Sequence, residues 1–372
     1  MGQRTCALEG VVNAVAPIPS FWAGRRVLVT GHSGFKGGWL VHWLHLLGAE
    51  VFGLSLPAST EPSLFEVSAV ARHCADHWIG DIRDRDTVDN AVDQARPSIV
   101  FHLAAQALVR AGYSDPVGTF STNTIGTVQV LDACRRSDDV GAVVIVTTDK
   151  CYENREWQWG YRESDRLGGH DPYSASKSCA ELATAAYRAA YFSHRTVGAA
   201  TARAGNVIGG GDWSADRLIP DLLRSFTANR PAWIRNPEAV RPWQHVLDSL
   251  HGYLMLAQRL IADPLPTSRA WNFGPAAHEA CKVRELAARF AELWSRDARV
   301  EVNPDQGPHE AGLLALDSAE ARAKLGWHSR MTLDAALQMT VDWYRACEDR
   351  QDMVDFTRRQ IELFMRADHG PR

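Results

Sequence analysis

The sequence predicts an α/β fold built on a doubly wound parallel sheet, with a smaller C-terminal α/β lobe. Short β-branched runs alternate with helical stretches, and a glycine-rich turn joins the first run to the first helix. The runs are continuously apolar, as strands buried on both faces should be. Strands are expected at residues 27–30, 51–56, 77–79, 98–104, 140–148 and 197–203, and helices at 36–47, 84–95, 117–136 and 173–191.

The domain organisation follows from the length and from a change of pattern near residue 205. A chain of 372 residues is too long to fold around a single hydrophobic core, so a main domain and a second lobe are expected. Four later segments could be shared between the main domain and the second lobe: an apolar run at 270–274 and helical patterns at 282–295, 317–324 and 332–347. We predict an N-terminal extension (1–24), a dinucleotide-binding domain (25–204, continued by parts of 240–275), a mainly substrate-binding lobe (205–348) and a helical tail (349–372).

The composition excludes several classes of protein. A net charge of −4 without any run of Lys or Arg argues against nucleic acid or an anionic membrane as partner. The seven cysteines are odd in number and form no C-x-x-C, so neither a disulfide framework nor a zinc site is expected. No segment has 18 consecutive apolar residues and no signal peptide is evident. We therefore expect a cytoplasmic protein.

The first strand runs into Gly31, Gly34 and Gly37, a G-x-x-G-x-x-G turn that opens the first helix. Glycines there let the backbone turn tightly and approach a pyrophosphate on the helix N-terminus, where free N–H groups favour anions. A plain glycine-rich turn is the alternative. The position between a strand and a helix favours a dinucleotide cofactor and hence a Rossmann-type sheet.

The ribose end of that cofactor site is less regular. The second strand ends without the Asp or Glu that holds an adenine ribose, and no Arg replaces it, so the choice between NAD and NADP stays open. His32 either crowds the cofactor, lends it a proton-dependent charge, or is inert. Asp81 either accepts a hydrogen bond from the adenine amine or caps the next helix.

Tyr173 and Lys177 begin a predicted helix and lie one turn apart on one face. An ammonium close to a phenol lowers the phenol pKa, as a general base for an alcohol requires. A surface Tyr and Lys are the alternative reading. Thr147 and Thr148, at the end of the preceding strand, are candidates to share the substrate proton.

These features stand in one fixed order with 102–106 (HLAAQ) and 123–127 (NTIGT). Together they resemble the nucleotide-sugar branch of the extended short-chain dehydrogenase/reductases, from about Gly24 to about Trp327. The resemblance implies NAD as cofactor, Thr148 on the sugar 4-oxygen, Tyr173 as base and Lys177 also on the nicotinamide ribose. The implied cofactor contacts are Gly31, His32, Gly34, Phe35, Lys36, Gly37, Asp81, Ile82, Leu103, Ala104, Ala105, Asn123, Tyr173 and Lys177.

Asp149 and Lys150 place two ionisable side chains directly after Thr148. The dTDP-glucose 4,6-dehydratases of this branch carry Thr-Asp-Glu there, whereas epimerases usually have small or hydroxyl residues. A 4,6-elimination needs one group to remove the C5 proton and another to protonate the departing 6-hydroxyl. An Asp that caps a turn beside a solvated Lys is the alternative.

Longer segments resemble the CDP-glucose 4,6-dehydratases in particular: 21–22, 30–37, 61–66, 149–152, 203–213 and 241–246. The resemblance implies conversion of CDP-D-glucose to CDP-4-keto-6-deoxy-D-glucose, an early step towards the dideoxysugars of bacterial surface polysaccharide such as the lipopolysaccharide O-antigen. It also implies a homodimer or homotetramer. Lys150 in place of the glutamate is a departure from the dTDP-glucose pattern.

The same resemblance implies a nucleotide-sugar site with arginines, since the guanidinium fork suits a diphosphate. Trp157 and Trp159 are expected either to close a wall of the sugar pocket or to lie in the core. Rival functions are a nucleotide-sugar epimerase or reductase and a non-catalytic dinucleotide sensor. A zinc enzyme is disfavoured because His42 and His45 lack a ligand set. The implied substrate contacts are Asn206, Arg217, Arg235, Arg241, Asn272 and His309.

Overall fold

The fold is known from a computed structural model that describes residues 17–276, 279–303 and 311–367. Its centre is a seven-stranded parallel sheet in the order β7-β6-β5-β4-β1-β2-β3. The predicted doubly wound sheet is thereby confirmed. The strands are β1 (Arg26–Thr30), β2 (Glu50–Ser55), β3 (Asp76–Ile79), β4 (Ile99–His102), β5 (Ala142–Val146), β6 (Gly198–Ala204) and β7 (Ala270–Phe273).

Helices cover both faces of the sheet, which is why its central strands can be apolar throughout. The longer helices are α1 (Phe35–Leu46), α2 (Arg85–Ala95), α3 (Thr127–Arg136), α4 (Pro172–Ala190), α5 (Leu218–Thr227), α6 (Val246–Ala262), α7 (Val283–Trp294), α8 (Leu333–Glu348) and α9 (Met353–Arg366). Shorter helical turns cover Pro19–Trp22, Leu64–Val67, Val70–His73, Val109–Ser114, Pro116–Phe120, Ser121–Gly126, Asp149–Cys151, Phe192–His194, Pro264–Thr267 and Ala321–Leu325.

The two faces have separate cores. Side chains of α1, α6 and α8 pack on one face, with Trp39, Trp43 and Trp343 fully buried there. Side chains of α2 and α3 pack on the other face, against residues such as Val100 and Val143. Because the strands are parallel, their carboxyl ends and the loops that follow them meet at one edge of the sheet, where ligands of such folds bind.

The helix expected at 117–136 is continuous but not regular. It begins at Pro116, with Asp115 as N-cap, and passes through a π-helical turn at Ser121–Gly126 before α3. A π turn inserts one residue into the helical repeat and often marks a functional site. Here the turn contains Asn123, one of the residues expected at the cofactor.

The second lobe is built from α5, α7 and short strand pairs. Those pairs join Val207–Ile208 with Gln244–His245, Val240–Arg241 with Cys281–Lys282, and Ala232–Ile234 with Val300–Val302. The helix expected at 317–324 is present at 319–325, where two α-helical residues lead into a π-helical turn at Ala321–Leu325. Gly326, with φ +70°, ends that turn in a left-handed conformation.

Other sequence expectations concern cysteines, metals and membranes. Six cysteines lie in the described part of the chain, and all six are free. No three His, Cys, Asp or Glu side chains among the described residues are grouped so that they could hold a metal ion. None of the described helices is long and apolar enough to cross a membrane.

Candidate active site

The phosphate loop has the geometry that the glycine pattern predicts. Gly31 adopts φ +79°, and a Cβ there would lie 2.6 Å from the backbone N of Ala104. A Cβ on Gly37 would lie 2.0 Å from the carbonyl oxygen of Gly31. Helix α1 begins at Phe35 with no side chain capping its first turn. The N-terminal N–H groups and the helix dipole are thus left for an anion, which fits a pyrophosphate.

Ser55 stands at the end of β2, where a related dinucleotide-binding strand would end in an Asp or Glu for the adenine ribose, and His32 lies next to it. Ser55 is the last residue of β2, and its Oγ lies 3.0 Å from Nδ1 of His32. The His32 ring is buried and packs edge-on against Phe65 and His77. Burial lowers the pKa of His32 to about 4. His32 is therefore neutral at neutral pH, so its proton-dependent charge has no role there.

Asp81 does not cap a helix. Its carboxylate accepts hydrogen bonds from the guanidinium and backbone N–H of Arg83, and Asp84 caps α2 instead. Ile82 packs against the π turn, since a Cβ on Gly126 would lie 2.6 Å from its Cδ1. Asp81 and Ile82 thus lie after β3, and Ile82 lies beside the π-helical turn Ser121–Gly126.

Asn123 links the loop after β4 to the helix of the predicted catalytic pair. Its Oδ1 accepts from the backbone N–H of Gln106, and its Nδ2 donates to the Gln106 carbonyl and to Ser176 Oγ, each at 2.9 Å. The loop 103–105, which contains the predicted cofactor contacts Leu103, Ala104 and Ala105, is held against the glycine turn. Asn123 therefore supports the site, with both polar atoms of its amide already bonded.

Tyr173 and Lys177 lie in the first two turns of α4, which Asp171 caps by accepting from the N–H of Ser174. Both side chains are buried, and the Tyr173 hydroxyl is hydrogen-bonded to Thr148. The expected lowering of the phenol pKa is wrong for this arrangement: burial raises the pKa of Tyr173 to about 12. The Lys177 ammonium instead donates to the Val146 carbonyl at 3.2 Å. Burial lowers the pKa of Lys177 to about 8.

Thr148, Asp149 and Lys150 form a tight turn after β5. Thr148 is the N-cap of this turn, and its Oγ1 donates to Asp149 Oδ1 at 3.0 Å. Asp149 is 1% exposed, and its Oδ2 has no hydrogen-bond partner in the structure. An unpaired buried carboxylate oxygen is costly unless a ligand meets it. The alternative of an Asp that merely caps the turn is wrong, because Thr148 fills that role.

A hydrogen-bond network around Glu181 distinguishes Thr147 from Thr148. Thr147 Oγ1 donates to Glu181 Oε1 at 2.5 Å, whereas Thr148 is the threonine that is hydrogen-bonded to Tyr173. Glu181 also accepts from Thr201 and forms an ion pair with Arg203. Sequence reasoning missed Glu181, although it follows Tyr173 by eight residues and Lys177 by four, a spacing that puts all three on one helix face.

These side chains line one cavity of about 550 Å³ between the sheet edge and the second lobe. The residues that line it include Thr148, Asp149, Lys150 and Tyr173, together with Asn206, Arg217, Arg235 and Arg241. Arg217 pairs with Asp212 at 3.0 Å and Arg235 with Asp216 at 2.9 Å. The Oδ1 atom of Asn206 is buried without a hydrogen-bond partner in the described structure.

One predicted substrate residue does not reach this cavity. Asn272 is completely buried in β7, where its amide donates to the Tyr161 and Asp317 carbonyls and accepts from the Tyr152 hydroxyl. Its hydrogen-bonding capacity is used by the protein, so the prediction of a ligand contact is corrected. His309 lies outside the described residues. Trp157 contacts Trp159 and Tyr161 with tilted rings, Trp159 is exposed, and neither tryptophan is among the residues that line the cavity.

Lys36 was expected at the phosphate loop, but its side chain lines the cavity beside Asp149 and Tyr173. Its Nζ lies 3.4 Å from the Tyr253 hydroxyl. The sequence signal that could have revealed this position is the lone charge in an otherwise apolar helix, FKGGWLV at 35–41.

The chain is similar to known nucleotide-sugar dehydratases. The model of one family, described as GDP-mannose 4,6 dehydratase, matches residues 28–340. A CDP-glucose 4,6-dehydratase of Salmonella typhimurium is 48% identical over 353 residues, 94% of this chain and 98% of that protein. A dTDP-glucose 4,6-dehydratase of Streptomyces antibioticus is 30% identical over 86% of this chain and 92% of its own. The solved structure of a dTDP-glucose 4,6-dehydratase of Streptomyces venezuelae with bound NAD is 25% identical, has a TM-score of 0.73, and covers 88% of this chain and 99% of its own.

Proposed function

The chain belongs to the GDP-mannose 4,6 dehydratase family, and from that membership we propose that it dehydrates CDP-D-glucose to CDP-4-keto-6-deoxy-D-glucose with NAD as cofactor. One observation carries the proposal: Tyr173, Thr148, Asp149 and Lys150 line a single cavity in a chain that is 48% identical to a CDP-glucose 4,6-dehydratase over 94% of its length. A 4-epimerase needs Tyr173 for oxidation at C4, but it eliminates no water and therefore does not need Asp149 and Lys150 as an acid and a base.

The residues at the phosphate loop fit NAD. A Cβ at Gly31 or Gly37 would collide with the backbone of the neighbouring loop residues, so the tight turn requires glycine, and the first turn of α1 offers uncapped N–H groups to a pyrophosphate. When bound, the nicotinamide accepts the hydride from sugar C4 and returns it to C6, so the cofactor is regenerated in each turnover. Bound NAD in the structure of the Streptomyces venezuelae relative also supports this cofactor.

Tyr173 is proposed as the base that removes the proton of the sugar 4-hydroxyl. Thr148 hydrogen-bonds the phenol, and the charge of Arg217 acts with it to lower the Tyr173 pKa against the effect of burial. Lys177 lies one turn along the same helix, where it is proposed to hold the nicotinamide ribose. The resulting 4-keto group makes the C5 proton acidic, which prepares the elimination.

Asp149 and Lys150 are proposed to divide the elimination of water between them. Asp149 lines the cavity, and its buried Oδ2 has no hydrogen-bond partner among the described residues, so a protonated Asp149 can give its proton to the departing 6-hydroxyl. A neutral Lys150 removes the C5 proton to give an enolate of the 4-keto sugar, and the C5–C6 double bond forms when that enolate expels the 6-hydroxyl as water. A neutral amine is basic enough for this proton once the adjacent carbonyl has acidified it.

The nucleotide is proposed to lie along the second lobe (205–348), against the dinucleotide-binding domain (25–204, with parts of 240–275). Arg217, Arg235 and Arg241 supply cations for the diphosphate, and the unpartnered amide oxygen of Asn206 supplies an acceptor.

We further propose a cytoplasmic homodimer whose product feeds deoxysugar synthesis for the O-antigen, a homotetramer being the alternative assembly. Three apolar side chains, Val117, Ile125 and Leu182, are exposed on the helical segment 116–126 and on α4. They support a contact between subunits through these helices. Free cysteines throughout the described chain fit a reducing compartment.

The experiment is a comparison of three substrates. The enzyme is incubated with CDP-glucose, dTDP-glucose or GDP-mannose, with and without added NAD⁺, and the 4-keto product is measured by its ultraviolet absorption in alkali. We expect product from CDP-glucose. Activity with dTDP-glucose alone would contradict the substrate, interconversion of sugars without a 4-keto product would indicate an epimerase, and binding without turnover would indicate a sensor.

A further inference from the structure

A second cleft, of about 650 Å³, lies beside α4, the helix that carries Tyr173 and Lys177. Its walls come from α4, from β6, and from the segments 162–167, 265–270 and 317–320. None of the described residues lines both this cleft and the substrate cavity. Clefts of this volume commonly hold small molecules, and the reaction proposed above assigns nothing to this one.

The charged side chains of the cleft do not all pair with one another. Four arginines and four carboxylates line it, and three ion pairs join members of this set: Arg162 with Asp317, Arg203 with Glu181, and Arg269 with Glu320. The fourth carboxylate, Glu163, accepts a hydrogen bond from the backbone N–H of Asn272. The fourth arginine, Arg188, forms no hydrogen bond or ion pair within the described part of the chain.

Arg188 lies near the end of α4, seven residues after Glu181 and on the same face of the helix. Its side chain is partly buried. Burial lowers the pKa of the Arg188 guanidinium, and the charges of Arg269 and Arg203 add to that change while the charge of Glu181 opposes it. A partly buried cation beside two other guanidiniums is costly unless an anion meets it.

Glu181 is the carboxylate that acts on Arg188, but its oxygens already have other partners. Oε1 accepts from the Thr147 hydroxyl, and Oε2 accepts from the Thr201 hydroxyl and the Arg203 guanidinium. A carboxylate shared in this way neutralises Arg203 rather than Arg188. The cleft thus presents one guanidinium whose donors remain open to a ligand.

A phosphoryl group fits this guanidinium, because the planar fork of an arginine matches two phosphate oxygens at once. The cleft is larger than a phosphate, and its walls also include the apolar side chains of Leu167, Leu265 and Pro266. A ligand that fills the cleft therefore combines a phosphoryl group with a small apolar body.

We propose that this cleft is a second ligand site, in which Arg188 binds the phosphoryl group of a small phosphate monoester. The site goes beyond the proposed dehydration and requires neither its sugar substrate nor its cofactor. Its ligand lies against α4 and the Glu181–Arg203 pair. Binding to the folded chain alone therefore stabilises the protein against unfolding.

The test is calorimetric titration of the full-length protein with phenyl phosphate, which carries a phosphoryl group on an apolar ring, at fixed ionic strength. We expect saturable binding to the wild-type protein, and binding weaker by about tenfold or more in Arg188→Met, because hydrogen bonds between charged groups are lost. Arg188→Lys keeps the charge without the fork and should bind with intermediate affinity. Inorganic phosphate, which lacks the apolar body, should bind the wild-type protein more weakly than phenyl phosphate.

Two further variants serve as controls. Arg359→Met removes an exposed arginine that pairs with Asp355 on α9, and it should leave the affinity unchanged. Arg217→Met removes an arginine that lines the substrate cavity and not the cleft, so it should also retain phenyl phosphate binding. Binding that is lost in Arg217→Met and kept in Arg188→Met would assign the ligand to the substrate cavity and overturn the proposal.

The absence of binding to the wild-type protein, or equal affinities of the wild-type protein and Arg188→Met, would also overturn it. Without ligand, Arg188→Met should unfold at the wild-type temperature or above, because no ion pair is lost, and a large decrease would show that Arg188 is structural instead. Formation of the 4-keto product from CDP-glucose is a separate measurement. Its failure would contradict the proposed dehydration and leave the second site standing.

Discussion

Nη2 of Arg203 lies 2.7 Å from Oε2 of Glu181, and both side chains are almost completely buried. The pair joins strand β6 to the catalytic helix α4. Glu181 also accepts hydrogen bonds from Thr147 and Thr201, and Arg203 donates to the Tyr152 hydroxyl. One carboxylate thus fixes the helix of Tyr173 and Lys177 against the ends of β5 and β6.

Glu181→Gln should destabilise the protein strongly. The substitution leaves Arg203 as a buried cation without its counter-charge, which costs about 3–5 kcal/mol in comparable pairs. The free energy of unfolding, measured with urea, should fall by an amount of that size. Asp139→Asn is the control, since its pair with Arg96 is exposed and should contribute nothing measurable. Equal effects of the two substitutions would show that the buried pair has no special role.

The sheet and the catalytic pair could be predicted from sequence because their signals are local. Strands such as 142–146 (AVVIV) are continuously apolar, and the i, i+4 spacing of Tyr173 and Lys177 needs only helix geometry. Asn272 shows where local reasoning fails. Which way its amide points depends on Tyr152, Tyr161 and Asp317, which are distant in sequence. The pKa of Tyr173 was mispredicted for the same reason, since burial is set by the whole fold.

Tyr173→Phe should abolish alcohol oxidation while preserving the fold. The substitution removes a single hydroxyl, and general acid–base groups typically contribute about 10²–10⁴-fold to rate. The decrease should appear in kcat for the 4-keto product, with little change in the thermal unfolding midpoint. Tyr191→Phe is a matched control, because that tyrosine is exposed at the end of the same helix. Retention of wild-type kcat in Tyr173→Phe would remove Tyr173 as the base.

Lys150→Ala should separate oxidation from elimination. Without the proposed base, exchange of the C5 proton with deuterium in D₂O should stop, while formation of enzyme-bound NADH from CDP-glucose continues. Mass spectrometry of recovered nucleotide sugar measures the deuterium exchange, and the near-ultraviolet absorbance of the reduced nicotinamide measures the formation of NADH. Normal deuterium exchange in this variant would assign the C5 proton to another group.

Asp149→Asn should give the complementary result. The amide keeps the shape of the carboxyl group but cannot protonate the departing 6-hydroxyl, so the 4-keto-6-deoxy product should be lost. The C5 proton should still exchange with deuterium, because Lys150 and the 4-keto group remain. Loss of exchange together with product would instead mean that Asp149 acts earlier, in oxidation or in binding.

His251→Phe should make the protein less sensitive to acid. His251 is buried, its ring stacks on Trp43, and neither ring nitrogen has a hydrogen-bond partner in the structure. Burial lowers the pKa of His251 to about 3, below the unfolded value of about 6.5. The unfolded chain therefore binds the extra proton, so stability falls as pH decreases from about 6.5 towards 3. At about pH 5 this one group accounts for roughly 2 kcal/mol, which His251→Phe should restore in urea unfolding. His194→Phe, at an exposed position, should leave the pH dependence unchanged, and an equally steep acid loss in His251→Phe would contradict the prediction.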